Sequence, residues 1–246
     1  MVSIVTLSKK VDLKNSVLVE GFPGIGLVGT IAAGYLVEKL DMELIGFVES
    51  NKLPPITTIH QGQPLPPIRL YKHKSKGFVV LLAEFIVPAN SVEELSDCIL
   101  EFVRKNKIRQ IVSLAGMSSP KADDKPIVYG IASNREMLNY LKLKGVPLIQ
   151  EGITTGVSGT LISKCSRSGF PAVSLLAESR FGYPDPRASA ALLQKLDSLI
   201  GLQVDTKSLL EEAAVVEARV RKMMSQMKNA QTSYEKAEED YPSMYE

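Results

Sequence analysis

SVLVEGFPGIGLVGTIAAGYLVEKL, residues 16–40, is the stretch that decides the fold. SVLVEGF (16–22) reads as a strand and runs directly into a glycine-rich turn. LVGTIAAGYLVEKL (27–40) then carries apolar residues at helical spacing. A strand passing through a tight turn into a helix is the first half of a β-α-β unit, and the question is whether the pattern repeats.

It repeats along most of the chain. ELIGFVES (43–50), GFVVLLAEFIV (77–87), IRQIVSLAGM (108–117), KPIVYGIAS (125–133) and FPAVSLLAES (170–179) read as strands. Helical segments fall between several of them: SVEELSDCILEFVRKN (91–106), residues 134–144 closed by Gly145, and SGTLISKCSRSG (158–169). Ser91 with Glu94 three residues later is the pattern of a capping box. NKLPPITTIHQGQPLPPIRLY (51–71) holds five prolines between 54 and 67, which fits edge strands and turns better than a central strand. The expected fold is α/β, a mixed, largely parallel sheet flanked by helices.

Beyond PDPRASAALLQKLDSLIGLQVD (184–205) the character changes. From Leu209 the apolar residues Ala213, Val216, Val220, Met223, Met227, Ala230, Tyr234, Ala237 and Tyr241 alternate in steps of four and three, with Asp205 as a cap at the start. This is a heptad seam, about 50 Å long if helical throughout. A helix folded back on its own sheet usually has a wider apolar stripe, so a projecting coiled coil or bundle is favoured over intradomain packing. The expected oligomer seam is Val216, Val220, Met223, Met227 and Tyr234. Alanine and methionine make such a seam weak alone. The chain thus divides into an α/β domain (1–204), a heptad-patterned C-terminal helical or coiled-coil extension (205–240) and a terminal tail (241–246).

The totals exclude several classes. Apolar residues make up 45% of the 246 and charged ones 23%, enough to fill a core. A net charge of +2 argues against a nucleic-acid binder. The two cysteines, Cys98 and Cys165, supply neither a disulfide framework nor zinc spacing. MVSIVTLSKK has no signal-peptide order, and FVVLLAEFIV is about half a membrane span and contains Glu84. A cytoplasmic chain with no membrane partner, no metal and no cofactor is expected.

Two glycine loops invite a ligand. Gly24, Gly26 and Gly29 form a literal G-x-G-x-x-G, and Glu49 lies twenty residues on, where a dinucleotide site places its ribose acid. Pro23 removes an amide donor there, and the second strand leads into the proline-rich connection instead of a helix. A tight turn with close helix–sheet packing is the favoured reading. EGITTGVSGTL (151–161) offers Gly152, Gly156 and Gly159 with Thr154, Thr155 and Ser158, residues that hold an anion or simply cap a helix. Other catalytic signals are thin. His60 and His73 are the only histidines, no G-x-S-x-G is present, and Glu84 within its apolar strand reads as a satisfied or edge-facing carboxylate ahead of a perturbed acid.

Taken in order, GFPGIGLVG, LPP with PIRLY, EGITTGVSGTL, SLLAES and YPDPRASAALLQKL resemble the proteasome assembly chaperone family over about residues 15–220. The chain is most similar to archaeal homologues of the second eukaryotic chaperone. The resemblance implies a fold like that of nucleoside phosphorylases without their activity, hence no enzyme. Its implied partners are 20S proteasome α subunits, further copies of the chain and a paralogous chaperone. It also gives MYE a meaning. Met244, Tyr245 and Glu246 match a hydrophobic–tyrosine–any-residue tail that docks between neighbouring α subunits. The α-carboxylate would pair with a lysine there, and the tyrosine and methionine would supply contact area.

Overall fold

The computed structural model describes residues 2–7, 11–119, 125–180 and 182–240. Met244, Tyr245 and Glu246 lie outside the described residues, as does the side chain of Tyr234.

One eight-stranded sheet organises the molecule. Its core is β2 (Val17–Gly21), flanked in parallel by β7 (Phe78–Ala83) and β8 (Gln110–Ser118), with β10 (Ala172–Ser179) parallel to β8. Every residue of β2 and β7 is buried, so these strands do not alternate, and Glu20 alone interrupts their apolar runs. Antiparallel strands finish both sides: β6 (Ile68–Lys72), β3 (Glu43–Ser50) and β1 (Val2–Thr6) beyond β7, and β9 (Val128–Ala132) beyond β10. The order is β1-β3-β6-β7-β2-β8-β10-β9, a mixed α/β sheet.

The proline-rich connection makes a small hairpin, β4 (Thr58–His60) with β5 (Gln63–Leu65). β6, expected at an edge, is instead an interior strand. The prolines stop at Pro67, one residue before it, so every β6 residue keeps the N–H its ladder needs.

Helices cover both faces. α1 (Val28–Lys39), α3 (Arg135–Leu143) and α5 (Pro186–Ile200) close one apolar cluster; α2 (Ala89–Lys105) and α4 (Gly156–Ser168) close the other. Asn134 caps α3 through the Met137 N–H at 2.9 Å, and Asp185 caps α5 through the Ala188 N–H at 3.0 Å. The capping box expected at Ser91 does not form, because α2 begins two residues earlier, behind Pro88. The Ser91 hydroxyl donates to the Lys52 carbonyl instead, at 2.9 Å. Glu94 accepts from the Val2 N–H at 3.0 Å and pairs with Lys52 at 2.8 Å, tying α2 to the edge of the sheet.

The C-terminal segment differs most from expectation. Asp205 accepts from the Lys207 N–H at 2.9 Å and starts a short helix, α6 (Lys207–Glu211), with a break at Glu212 before α7 (Ala213–Asp240). As far as Met227 the seam then lies against the chain's own domain. Leu209 and Val220 are buried, Val216 and Met224 pack on the cluster of α1 and α5, and Met227 packs on the cluster of α2. Met223 lines a small cavity with Val216, Val220 and the α1 residues Ile31 and Tyr35. Tyr35 anchors the junction, its hydroxyl 2.6 Å from both the Asp205 carbonyl and the Ser208 hydroxyl.

Candidate functional site

The adjacent parallel strands β2 and β7 send their chains to opposite faces, β2 into α1 and β7 into α2. Between them, at the carboxyl ends of the strands, such a reversal leaves a crevice, the usual ligand position in open α/β sheets. Here it is a cavity of about 410 Å³ lined by residues 22–25, 86–87, 115–118 and 153–158 with Val92 and Leu176. Both glycine loops singled out in the sequence meet in it.

The two loops use their glycines differently. A Cβ on Gly29 would lie 2.1 Å from the Leu114 carbonyl oxygen, and one on Gly26 would lie 2.0 Å from the Ser179 hydroxyl. Gly26 also has φ +62°, the left-handed region. These two glycines are spent on bringing α1 against β8 and β10. Only Gly24, with φ −157° and open space at its Cβ position, faces the crevice freely. Glu49 is not brought to this loop. It is exposed on β3, separated from β2 by β6 and β7, whereas a ribose acid must stand at the end of the neighbouring parallel strand.

The second loop opens α4 toward the cavity. Gly156 has φ +72°, and Gly159 makes room for the Thr154 backbone, which a Cβ would approach to 2.9 Å. Thr155 occupies the cap position without a side-chain cap bond, so its hydroxyl leaves the first-turn N–H groups of α4 uncapped, and residues 155–158 line the crevice. Ser158 turns inward, its hydroxyl 3.0 and 3.2 Å from the two carboxyl oxygens of Glu20. Glu20 is fully buried, and burial pushes its pKa up to about 7 against the lowering by Ser113, Ser158 and the Phe22 backbone. Sequence reading missed this acid; the signal was a carboxylate inside the apolar run VLVEG.

Glu84, just past β7, belongs to a buried polar cluster. It pairs with Arg69 at 2.7 Å and with His60 at 2.9 Å. Arg69 also donates to the Tyr71 hydroxyl at 2.7 Å, the Thr58 hydroxyl at 2.8 Å and the Pro66 carbonyl at 2.9 Å. The cluster pins the β4–β5 hairpin to β6, and Glu84 is a satisfied carboxylate. His73 accepts from the Ser75 and Lys76 N–H groups in a turn. Burial pushes the Cys98 thiol up to about 11 and the Cys165 thiol to about 12, which leaves them poor nucleophiles. Among the described residues no group of three potential metal ligands gathers, and no helix is long and apolar enough to cross a membrane.

Beside the crevice runs a wider groove of about 970 Å³ between residues 85–89 and Met224 and Met227 of α7. Two apolar side chains stand exposed at the lips of these hollows, Ile86 at 64% and Ile153 at 96%.

A family model described as the PAC2 family matches residues 18–224. An uncharacterized protein of Methanocaldococcus jannaschii is 33% identical over 217 residues, covering 88% of this chain and 89% of its own length. The crystal structure of Pyrococcus furiosus PbaA, described as an archaeal homolog of proteasome-assembly chaperone, superimposes with a TM-score of 0.85 at 36% identity, over 94% of this chain and 99% of that one. Pyrococcus furiosus PbaB, described as an archaeal proteasome activator, matches with a TM-score of 0.77 at 25% identity, over 90% and 98%.

Proposed function

The chain belongs to the PAC2 family of proteasome assembly chaperone homologues, and from that membership we propose that it is a non-enzymatic, cytoplasmic chaperone or ATP-independent activator of the proteasome. The observation that carries this reading is the similarity to PbaA over 94% of the chain. The docking element is the tail Met244-Tyr245-Glu246, and its target is the cleft between neighbouring α subunits of the 20S ring. The terminal carboxylate pairs with a lysine there, the tyrosine supplies one polar and one apolar contact, and the methionine adds burial. A single tail orders several residues for a small contact, so its affinity is modest; several copies on one oligomer multiply the avidity.

Val216 and Val220 already lie against the chain's own domain, which favours a division of labour along α7. The body-facing part positions the helix, and the seam past Met227, with Tyr234, meets further copies. Deleting residues 244–246 tests the reading: pull-down of the 20S particle is lost while the oligomer, followed by native mass spectrometry, is kept. Undiminished capture of the particle by the shortened chain would overturn the docking role.

The exposed Ile86 and Ile153 favour a second reading, an oligomeric adaptor that holds another protein or a paralogous chaperone on its body. Native mass spectrometry of extracts separates the two by the partner that co-purifies with the chain.

A further inference from the structure

We propose that the crevice between the two glycine turns is a binding site for a small monocarboxylate with a compact apolar body, its carboxylate on the first turn of α4 and its body among Phe22, Ile25, Ile86 and Leu176. The site is independent of the C-terminal tail and of the proteasome reading.

Position, size and lining chemistry converge on this assignment. The cavity sits outside the carboxyl ends of β2, β7 and β8, where the helices that follow β2 and β7 lie on opposite faces. Its volume of about 410 Å³ falls within the range of small-molecule pockets. No Lys, Arg, His, Asp or Glu is among its lining residues. A phosphate ester or another multiply charged ligand would therefore enter without a counter-charge. The polar groups present are neutral: the N–H groups at the start of α4, which the Thr155 side chain does not cap, and the hydroxyls of Ser118, Thr154, Thr155 and Ser158. The rest of the lining is mostly apolar, which selects for one accepting head on an apolar body.

Glu20 gives the site a proton link through Ser158. While Glu20 is ionised, the Ser158 hydroxyl donates to it and offers the crevice only lone pairs. Once Glu20 is protonated, its own O–H donates to Ser158, and the serine hydrogen is released toward the ligand. An incoming carboxylate accepts that hydrogen and also disfavours a second negative charge behind the serine, so both effects favour protonated Glu20. The groups acting on the Glu20 carboxyl are Ser113 of β8, Ser158 of α4 and the Phe22 N–H, with no charged side chain among them. On the elements packed around it, Lys164 of α4 is held by Glu93 and Asp97 of α2, and Glu84 after β7 is held by Arg69.

The test uses isovalerate and phenylacetate as probes on the full chain, followed by ligand-observed NMR and titration calorimetry at pH 6 and pH 8. Both acids are ionised at either pH, and binding about tenfold tighter at pH 6 is expected if only the protonated form is competent. Gly24→Phe, at an extended position with open space in front of it, abolishes binding by filling the crevice; Gly24→Leu is the second occluding variant, and circular dichroism checks both folds. Glu20→Gln, fixed in the neutral state, binds equally at both pH values. Absence of saturable binding by the unaltered chain at pH 6, or unchanged binding by the folded Gly24 variants, overturns the site. Inorganic phosphate or 3-methylbutan-1-ol binding as tightly as isovalerate overturns the ligand class. A pH dependence that survives in Glu20→Gln overturns the proton link.

Discussion

Arg69 and Glu84 meet at 2.7 Å with side chains only 2% and 9% exposed, joining the end of β7 to the interior strand β6 and through it to the β4–β5 hairpin. A buried pair of this kind adds little net stability over an apolar pair of the same shape, but removing one partner strands a charge. Arg69→Met leaves Glu84 with His60 alone and is expected to destabilise the fold by about 3–5 kcal/mol in urea unfolding. Arg69→Met combined with Glu84→Leu recovers much of that loss. A double variant as unstable as the single one would place the cost in packing instead.

Glu20 makes stability depend on pH. Its folded pKa, about 7, stands above the ordinary 4.5. Between those values the folded chain binds more protons than the unfolded one, so the slope of stability against pH is negative there. The contribution is fully present below the unfolded pKa and is lost as pH rises through the folded one. The resulting penalty at pH 8 is about 3 kcal/mol. Glu20→Gln removes it, so the variant exceeds the unaltered chain at pH 8 and the advantage shrinks toward pH 4.5. Urea unfolding of both chains across that range checks the sign; equal slopes would refute it.

The glycines of G-x-G-x-x-G divide into packing and open positions. Gly26→Ala introduces a left-handed non-glycine residue and a Cβ 2.0 Å from the Ser179 hydroxyl, so it costs about 3 kcal/mol. Gly24→Ala meets nothing within 4 Å and is expected to shift stability by less than about 0.5 kcal/mol. Thermal unfolding of the two variants in the absence of ligand reads the contrast directly. A phosphate cradle would show its effects on nucleotide binding instead, with little in the free protein.

The alternation of strands and helices was legible because the buried parallel strands are mostly apolar runs and most of the helices, α2 and α3 above all, carry periodic faces. What escaped depended on contacts between distant segments. β1 gains its pairing from β3, 40 to 48 residues on, and its short N-terminal sequence has no turn signal of its own. Ser91 and Glu94 stand at capping-box spacing, yet they bind Lys52 and Val2, and spacing carries no record of the partner. The same holds for G-x-G-x-x-G, which reads alike whether the glycines meet a pyrophosphate or a strand. Glu20 was hidden in an apolar run, and its partner Ser158 lies 138 residues away. The seam was legible as a pattern, but steps of three and four apply equally to a helix lying on its own domain and to one meeting a second copy.

That ambiguity separates two groups of seam residues. Leu209 is buried within the chain, 1% exposed, so Leu209→Ala removes core contacts of α6 and is expected to cost about 2–4 kcal/mol. Because the loss is internal to one chain, the shift in denaturation midpoint should be the same at every protein concentration. Tyr234, assigned above to the part of the seam that meets other copies, should behave in the opposite way. Tyr234→Ala leaves the unfolding of the dilute chain unchanged and moves dissociation of the oligomer to higher concentration, as read by analytical ultracentrifugation. If Leu209→Ala alone altered the oligomer and Tyr234→Ala did nothing, subunits would join through the domain body, and α7 would serve only as the arm that carries the tail.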